Sequence, residues 1–107
     1  MTFDDVRHVA LQFPGVVDST SFGTAALRVG RRLLVRHRPE IDAVVVRIDP
    51  LDKELLIERN GDVYFTTPHY DGYPALLARL GALRPQELAT LLDASYRFAT
   101  ARRRRRR

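Results

Sequence analysis

The chain has 107 residues, of which 18 are basic and 13 acidic, and its formal net charge is +5. The excess lies in six consecutive arginines at 102–107, because without them 12 basic residues face 13 acidic ones. The length suits one domain with its own core, and the absence of cysteine excludes disulfides, thiolate metal sites and a cysteine nucleophile.

The first predicted element is an amphipathic helix that begins after Thr2. Thr2 and Asp5 have the spacing of a capping box, and apolar residues recur at helical spacing as far as Phe13. Pro14-Gly15 is a turn signal and ends the helix. Residues 16–22 are predicted to continue as an extended segment.

A β-hairpin is predicted next. Residues 25–29 and 33–37 are rich in apolar residues and flank Gly30-Arg31, where the glycine supplies the positive φ that a tight turn needs. A second turn over 39–42 leads to residues 43–48, whose run of valines predicts another strand.

A second helix is predicted after that strand. Asp49 is its N-cap, Pro50 its first residue, and the Asn60-Gly61 pair closes it. The residues expected to line its inner side are Leu51, Leu55 and Leu56.

The last third of the chain is predicted to contain two strands and a long helix. Residues 63–66 form one strand, 67–74 a loop, and 75–80 a second strand, because six residues between a proline and a glycine suit a strand better than a helix. The helix opens at Pro85, and its buried stripe consists of Leu88, Leu91, Leu92, Ser95 and Phe98 or Ala99. This order predicts an α+β sandwich, with the N- and C-terminal helices on one face of a mainly antiparallel sheet.

Several short segments recur in the order and spacing of a known family. They are Phe13-Pro14-Gly15-Val16, Phe22-Gly23 with Leu27-Arg28-Val29-Gly30, Arg47-Ile48-Asp49-Pro50, the stretch Tyr64…Pro68…Tyr70…Gly72, and Ala94-Ser95-Tyr96-Arg97. Together they resemble the MmcQ/YjbR family of small bacterial proteins. The resemblance implies a CyaY-like (frataxin-like) two-layer sandwich, and DNA binding through a double wing of loops that project from the sheet.

The predicted hairpin carries a dense group of basic residues, joined by one more on the next strand. These are Arg28, Arg31, Arg32, Arg36, Arg38 and Arg47. Because side chains at even spacing share a face of a strand, we expect Arg32, Arg36 and Arg38 to point the same way, and Arg28 to join them across the turn. Guanidinium groups suit phosphate oxygens, so this wing is a candidate DNA contact. The alternative is a solvated sheet face whose arginines pair with neighbouring carboxylates.

The arginine tail is a second candidate contact with DNA. Arg102, Arg103 and Arg104, with the arginines after them, would neutralise phosphates without sequence preference. A solubilising tail, or a helix end whose cations favour the dipole, explains the same residues without a binding role. Because like charges in a block repel, we expect a domain over 1–101 and a disordered tail over 102–107.

The predicted loop after residue 66 and the strand before it are rich in aromatic residues. Tyr64, His69, Tyr70 and Tyr73 are candidates for a pocket that stacks a base or holds a small ligand. The alternative is a rigid loop whose aromatic rings pack against the sheet edge.

No pattern in the sequence points to catalysis or to a bound metal. His8, His37 and His69 lack the spacing of metal ligands, and the serines and glycines form no nucleophile elbow, P-loop or dinucleotide fingerprint. We therefore expect no enzymatic activity, no cofactor and no metal. The N-terminal sequence lacks the pattern of a signal peptide, and no apolar run approaches the ~18 residues of a membrane span.

The sequence thus favours a monomeric, cytoplasmic, non-enzymatic protein that contacts DNA phosphates through the hairpin and the tail. A small-ligand or protein-interaction module built on the region from Tyr64 to Tyr73 is the second hypothesis. A metal chaperone, by analogy of shape with frataxins, is the weakest, because the first helix offers just Asp4 and Asp5 where frataxins have an acidic ridge.

Overall fold

The structure, a computed structural model, describes the backbone of residues 1–105 and the side chains of residues 1–101. Its helices are α1 (Phe3–Ala10), α2 (Pro50–Arg59) and α3 (Pro85–Arg105), and its strands are β1 (Val16–Ser21), β2 (Thr24–Val29), β3 (Arg32–Arg38), β4 (Ala43–Arg47), β5 (Tyr64–Phe65) and β6 (Ala75–Arg79). The arginine side chains at 102–107 lie outside the described residues, so the disordered tail stays a prediction.

The strands form one antiparallel sheet in the order β1-β2-β3-β4-β6-β5. Residues opposite each other in such a ladder share a face. Arg36 lies opposite Val45, which lies opposite Leu77, so these three occupy one face. Val35 and Val46, also opposite each other, occupy the other face. The strand predicted over 75–80 is confirmed as β6.

Helices α1 and α3 pack on the face of Val35 and Val46, and the main core lies between them and the sheet. The large side chains completely buried there include Leu27, Leu34, Ile48, Leu76, Leu80, Leu88, Leu91 and Leu92. Ser95 is buried among them and donates a hydrogen bond from Oγ to the carbonyl of Leu34 at 3.3 Å. The predicted α+β two-layer sandwich is thus confirmed. None of the helices in the described residues is long and apolar enough to cross a membrane.

The face of Arg36, Val45 and Leu77 is called the open face below. The loop around Tyr70 covers a part of it, where Tyr70 packs with Val45, Leu77 and Ala75 in a second, smaller apolar cluster. The rest of the open face carries basic and polar side chains together with Val17, Leu33 and Phe65, and it is the region where a partner has access.

The start of α1 is fixed by the predicted capping box. Thr2 Oγ1 accepts a hydrogen bond from the Asp5 N–H at 3.3 Å, and the Asp5 carboxylate accepts one from the Thr2 N–H at 2.8 Å. The latter bond stabilises the ionised carboxylate and lowers the pKa of Asp5. The helix ends at Ala10, earlier than the predicted limit, because the N–H groups of Gln12 and Phe13 bond carbonyls three residues back and tighten the chain.

Helix α2 begins as predicted, with Asp49 Oδ1 accepting a hydrogen bond from the Leu51 N–H at 2.8 Å. The predicted inner side is wrong for two of its three leucines. Leu51 and Leu55 are 70% and 48% exposed, while Leu56 and Ile57 pack against the main core. The reason is that α2 lies at one edge of the sheet, against β5 and β6, so only a narrow stripe of the helix faces inward.

Candidate nucleic-acid interface

The β2–β3 hairpin ends in a two-residue turn of Gly30 and Arg31. Val29 and Arg32 pair across it, and Gly30 has a φ of 59°, the positive value that the sequence predicts. Arg31 and Arg32 are exposed, and no carboxylate of the described residues lies within salt-bridge distance of either. Two guanidinium groups are therefore open to an anionic partner at the tip.

A register shift interrupts this hairpin below its tip. Leu27 lies opposite Val35, but the next residue, Arg28, lies opposite Leu33, so that Leu34 has no partner in the ladder. An extra residue of this kind is a β-bulge, and it reverses the alternation of side chains along its strand.

The bulge changes which arginines share a face. Arg36 and Arg38 lie on the open face, and Arg28 lies there with them. Arg32 lies opposite Val29, whose side chain packs toward the main core on the helix side. The expectation that Arg32, Arg36 and Arg38 point the same way is therefore wrong for Arg32.

An open cleft of about 970 Å³ lies beside the hairpin. Among the side chains of residues 1–101, four arginines and no acidic residue line it; the arginines are Arg28, Arg31, Arg32 and Arg47. Its other wall is formed by α3, through residues that include Tyr96 and Thr100. The helix backbone continues from Thr100 into Arg102, Arg103 and Arg104, so the tail starts beside this cleft.

Two of the cleft arginines are held in place by neighbouring groups. Arg28 donates from Nε to Ser19 Oγ at 3.0 Å and from Nη2 to the Thr20 carbonyl at 3.2 Å. Arg47 donates from Nε to the Pro74 carbonyl at 3.3 Å, with its guanidinium 5.5 Å from the centre of the Tyr73 ring. These partners are neutral, so they hold both guanidinium groups in place without cancelling their positive charges.

Arg38 differs from the other hairpin and cleft arginines, because among the described residues it has a carboxylate partner and they have none. Its Nε donates to Glu40 Oε2 at 2.6 Å. The hydrogen bond stabilises the ionised carboxylate and lowers the pKa of Glu40. The same bond raises the pKa of Arg38. The pair neutralises its own charge, which makes Arg38 a weaker candidate for a phosphate contact than Arg31 and Arg32.

Arg36 lies at the centre of the open face and is only 9% exposed. Its guanidinium donates to Tyr70 Oη at 3.2 Å and to Thr24 Oγ1 at 3.4 Å. The Phe22 ring, at the tip of the β1–β2 hairpin, lies with its centre 5.2 Å from the guanidinium carbon. Arg36 is thus a buried cation held by an aromatic ring and hydroxyl groups.

These contacts join into one strip of side chains, which we call the Arg–aromatic band. It consists of Phe22, Arg36, Tyr70, Tyr73 and Arg47. The rings of Tyr70 and Tyr73 lie 6.1 Å apart at 62°, which links the two arginine contacts.

Three of the four predicted pocket residues lie together, His69, Tyr70 and Tyr73, while Tyr64 lies apart from them. Tyr64 is buried in the main core on the helix side of the sheet, where burial raises the pKa of its phenol. Tyr70 is buried on the opposite side, and His69 is exposed with its ring edge-on to that of Tyr70 at 4.7 Å. Tyr73 lines a second cleft of about 550 Å³ against α2, together with Lys53, Asp71 and Gly72. Successive side chains of a strand point to opposite faces of the sheet. Phe65 of β5 lies on the side of Tyr70, so Tyr64 lies on the helix side, away from the loop residues.

No group of three or more His, Asp or Glu side chains in residues 1–101 is placed to hold a metal ion. The site therefore offers cations and aromatic rings as its chemical groups.

The YjbR family model matches residues 11–98 of the chain. The chain belongs to the YjbR family. Uncharacterized protein Rv2570 of Mycobacterium tuberculosis (strain H37Rv) is 34% identical over 113 residues, covering 89% of this chain and 85% of the relative. Uncharacterized protein Mb2600 of Mycobacterium bovis matches to the same extent, at 34% identity over 113 residues.

A solved structure supports the same fold. The crystal structure of Deinococcus radiodurans protein DR2400, with a DUF419 domain, superimposes with a TM-score of 0.77 and 22% identity, covering 92% of this chain and 78% of that one. At this identity the likeness concerns the fold. The family resemblance predicted from the sequence is confirmed, and the function has to be argued from the site.

Sequence reasoning missed Phe22 as a functional candidate. The residue lies in one of the segments that resemble the YjbR family, directly before Gly23, and both have positive φ values, 52° and 79°. Such a turn normally takes Asn-Gly or Asp-Gly, and a phenylalanine in the left-handed region is strained. The signal available in the sequence was therefore a bulky aromatic residue at a position that favours asparagine.

Proposed function

We propose that this YjbR-family protein is a non-enzymatic DNA-binding protein that holds the phosphate backbone in the cleft beside the β2–β3 hairpin. The observation that carries the proposal is the lining of that cleft, to which the described side chains contribute four arginines and no acidic residue. A cleft lined by one sign of charge concentrates the opposite sign, and guanidinium groups suit phosphate oxygens.

The contacts divide into two kinds. Arg31 and Arg32 are exposed at the turn and reach outward, whereas Arg28 and Arg47 are held by neutral partners and supply fixed positive charge. Contacts of this type position a backbone and carry no sequence information. The arginines at 102–104 continue from the cleft wall and add affinity of the same sequence-independent kind.

The decisive measurement is DNA affinity against salt concentration, for the full chain and for a chain that ends at Ala101. The shortened chain keeps every residue of both apolar clusters, so it is expected to fold. If it binds duplex DNA with a salt-dependent affinity at low ionic strength, the domain itself is a DNA-binding unit. A complete loss of binding would assign all affinity to the tail and contradict the proposal.

Replacing Arg31 and Arg32 together with alanine is expected to make the salt slope of the shortened chain shallower by about two units, one for each lost phosphate contact. A matched control is Arg59→Ala with Arg84→Ala, which removes the same charge from exposed positions outside the cleft lining. An equal change in both double variants would show that net charge, and not the hairpin, governs binding.

A small-ligand or protein-interaction role is the second candidate, and the cleft of about 550 Å³ at Tyr73 favours it. Lys53 supports this cleft by donating to the carbonyls of Tyr70 and Tyr73 at 2.7 Å and 2.8 Å. Its lining mixes basic and acidic side chains, which suits a small polar ligand better than a phosphate backbone. Loss of DNA binding in the shortened chain would leave this candidate as the better one.

A further inference from the structure

The open face combines positive charge with aromatic rings. The strands contribute five arginines to this face, Arg28, Arg36, Arg38, Arg47 and Arg79, and their described residues contribute no acidic side chain to it. One of the five, Arg38, is neutralised by Glu40 from the following turn. The open face therefore has a net positive charge, which favours the binding of an anionic polymer.

Three of these arginines lie against aromatic rings. Arg36 contacts Phe22 and Arg47 contacts Tyr73 within the Arg–aromatic band, and Arg79 lies 4.0 Å from the centre of the Phe65 ring. A cation over a ring face holds the ring in a fixed orientation and strengthens it as a platform. Rings interleaved with guanidinium groups are the arrangement that binds unpaired nucleotides, with bases on the rings and phosphates on the cations.

The two outermost rings of the band are accessible. Phe22 is 90% exposed and Tyr73 is 50% exposed, whereas Tyr70 and Arg36 between them are buried and form the support. A fully exposed phenylalanine contributes little to folding, and at a φ of 52° it also costs backbone strain. Neither packing in the core nor the backbone of the turn explains why a phenylalanine occupies this position. A binding role at the surface explains it.

We infer that the open face binds single-stranded DNA, stacking unpaired bases on Phe22 and Tyr73 while the accessible arginines of that face, Arg28, Arg47 and Arg79, hold the phosphates. This inference rests on the proposed DNA-binding function and assigns its preferred substrate. Bases of a duplex are stacked on one another and cannot reach the rings, whereas those of a single strand can. Stacking tolerates any base, so the expected binding has little sequence preference.

The test measures the binding of the full chain to two labelled probes at the same salt concentration. One probe is an oligo(dT) of about 12 nucleotides, a length within the range that such surfaces cover. The other is the dA·dT duplex of equal length. Phe22→Asn is expected to weaken oligo(dT) binding roughly tenfold, the loss of one stacked base, and duplex binding less than about twofold. Asparagine adopts the left-handed φ of this position and forms a favoured pair with Gly23, so the hairpin stays intact.

Tyr73→Leu is the second variant and is expected to reduce the same single-strand preference. Leu51→Asn is the matched control, since it replaces an exposed apolar side chain away from the open face and should leave both affinities unchanged. Unchanged oligo(dT) affinity in both ring variants overturns the inference. The proposed function survives that result if duplex binding still depends on Arg31 and Arg32, whereas binding of neither probe by the native chain overturns both.

Discussion

Leu91→Ala is expected to lower the free energy of unfolding by about 2–5 kcal/mol. Leu91 is 1% exposed on the inner face of α3, so its removal deletes buried contacts and leaves a cavity between the helix and the sheet. Since domains of this size are stable by only about 5–15 kcal/mol, the loss is a large share of the total. It corresponds to a fall in Tm of roughly 10–20 °C, measurable by thermal or urea unfolding.

Leu51→Ala is the control for this experiment, because it makes the same chemical change on an exposed helical site. Leu51 is 70% exposed in the first turn of α2, and the substitution is expected to change stability by less than about 0.5 kcal/mol. Comparable losses at the two positions would contradict the described packing of α2 against one edge of the sheet.

The contrast between these leucines illustrates what local patterns can predict. The start of α2 followed from Asp49 and Pro50, whose roles depend on their immediate neighbours. The inward face of α2 did not follow, because a short helix at a sheet edge buries a narrow stripe chosen by tertiary contacts. The hairpin turn at Gly30 and the buried stripe of α3 were also predictable, because both depend on residues that are close together in the sequence.

The arrangement of the site depended more on long-range contacts. The bulge at Leu34 places Arg32 on the opposite face of the sheet from Arg36. No residue type in β3 indicates that a bulge occurs there. The contact between Phe22 and Arg36 joins two hairpins, and the separation of Tyr64 from Tyr70 depends on which face of β5 meets the core. The sequence therefore supplied the arginines and aromatic rings as candidates, while their pairing required the sheet register.

Arg36→Met is expected to keep the free energy of unfolding within about 1 kcal/mol of the native value, or to raise it. Arg36 is a nearly buried cation, and the partners of its two hydrogen bonds, Thr24 and Tyr70, are neutral hydroxyl groups. Burying a charge without a carboxylate at salt-bridge distance is costly, and methionine fills the same space without that cost. Arg36→Ala removes the packed stem as well and is expected to cost about 2 kcal/mol more than Arg36→Met, as measured by urea unfolding.

A residue whose charge does not help the fold needs another reason to be there, and the Phe22 ring above it provides one. Arg36→Met is expected to weaken oligo(dT) binding about as much as Phe22→Asn, roughly tenfold, because the cation orients and supports the ring on which the base stacks.

The two substitutions act on one unit, so the double variant Phe22→Asn/Arg36→Met should lose clearly less binding free energy than the sum of the two single losses, with a coupling of about 0.5–1 kcal/mol. Strictly additive losses would mean that Arg36 contacts the strand independently of the ring. A loss in the ring variant without any in Arg36→Met would mean that the ring needs no support from the cation beneath it.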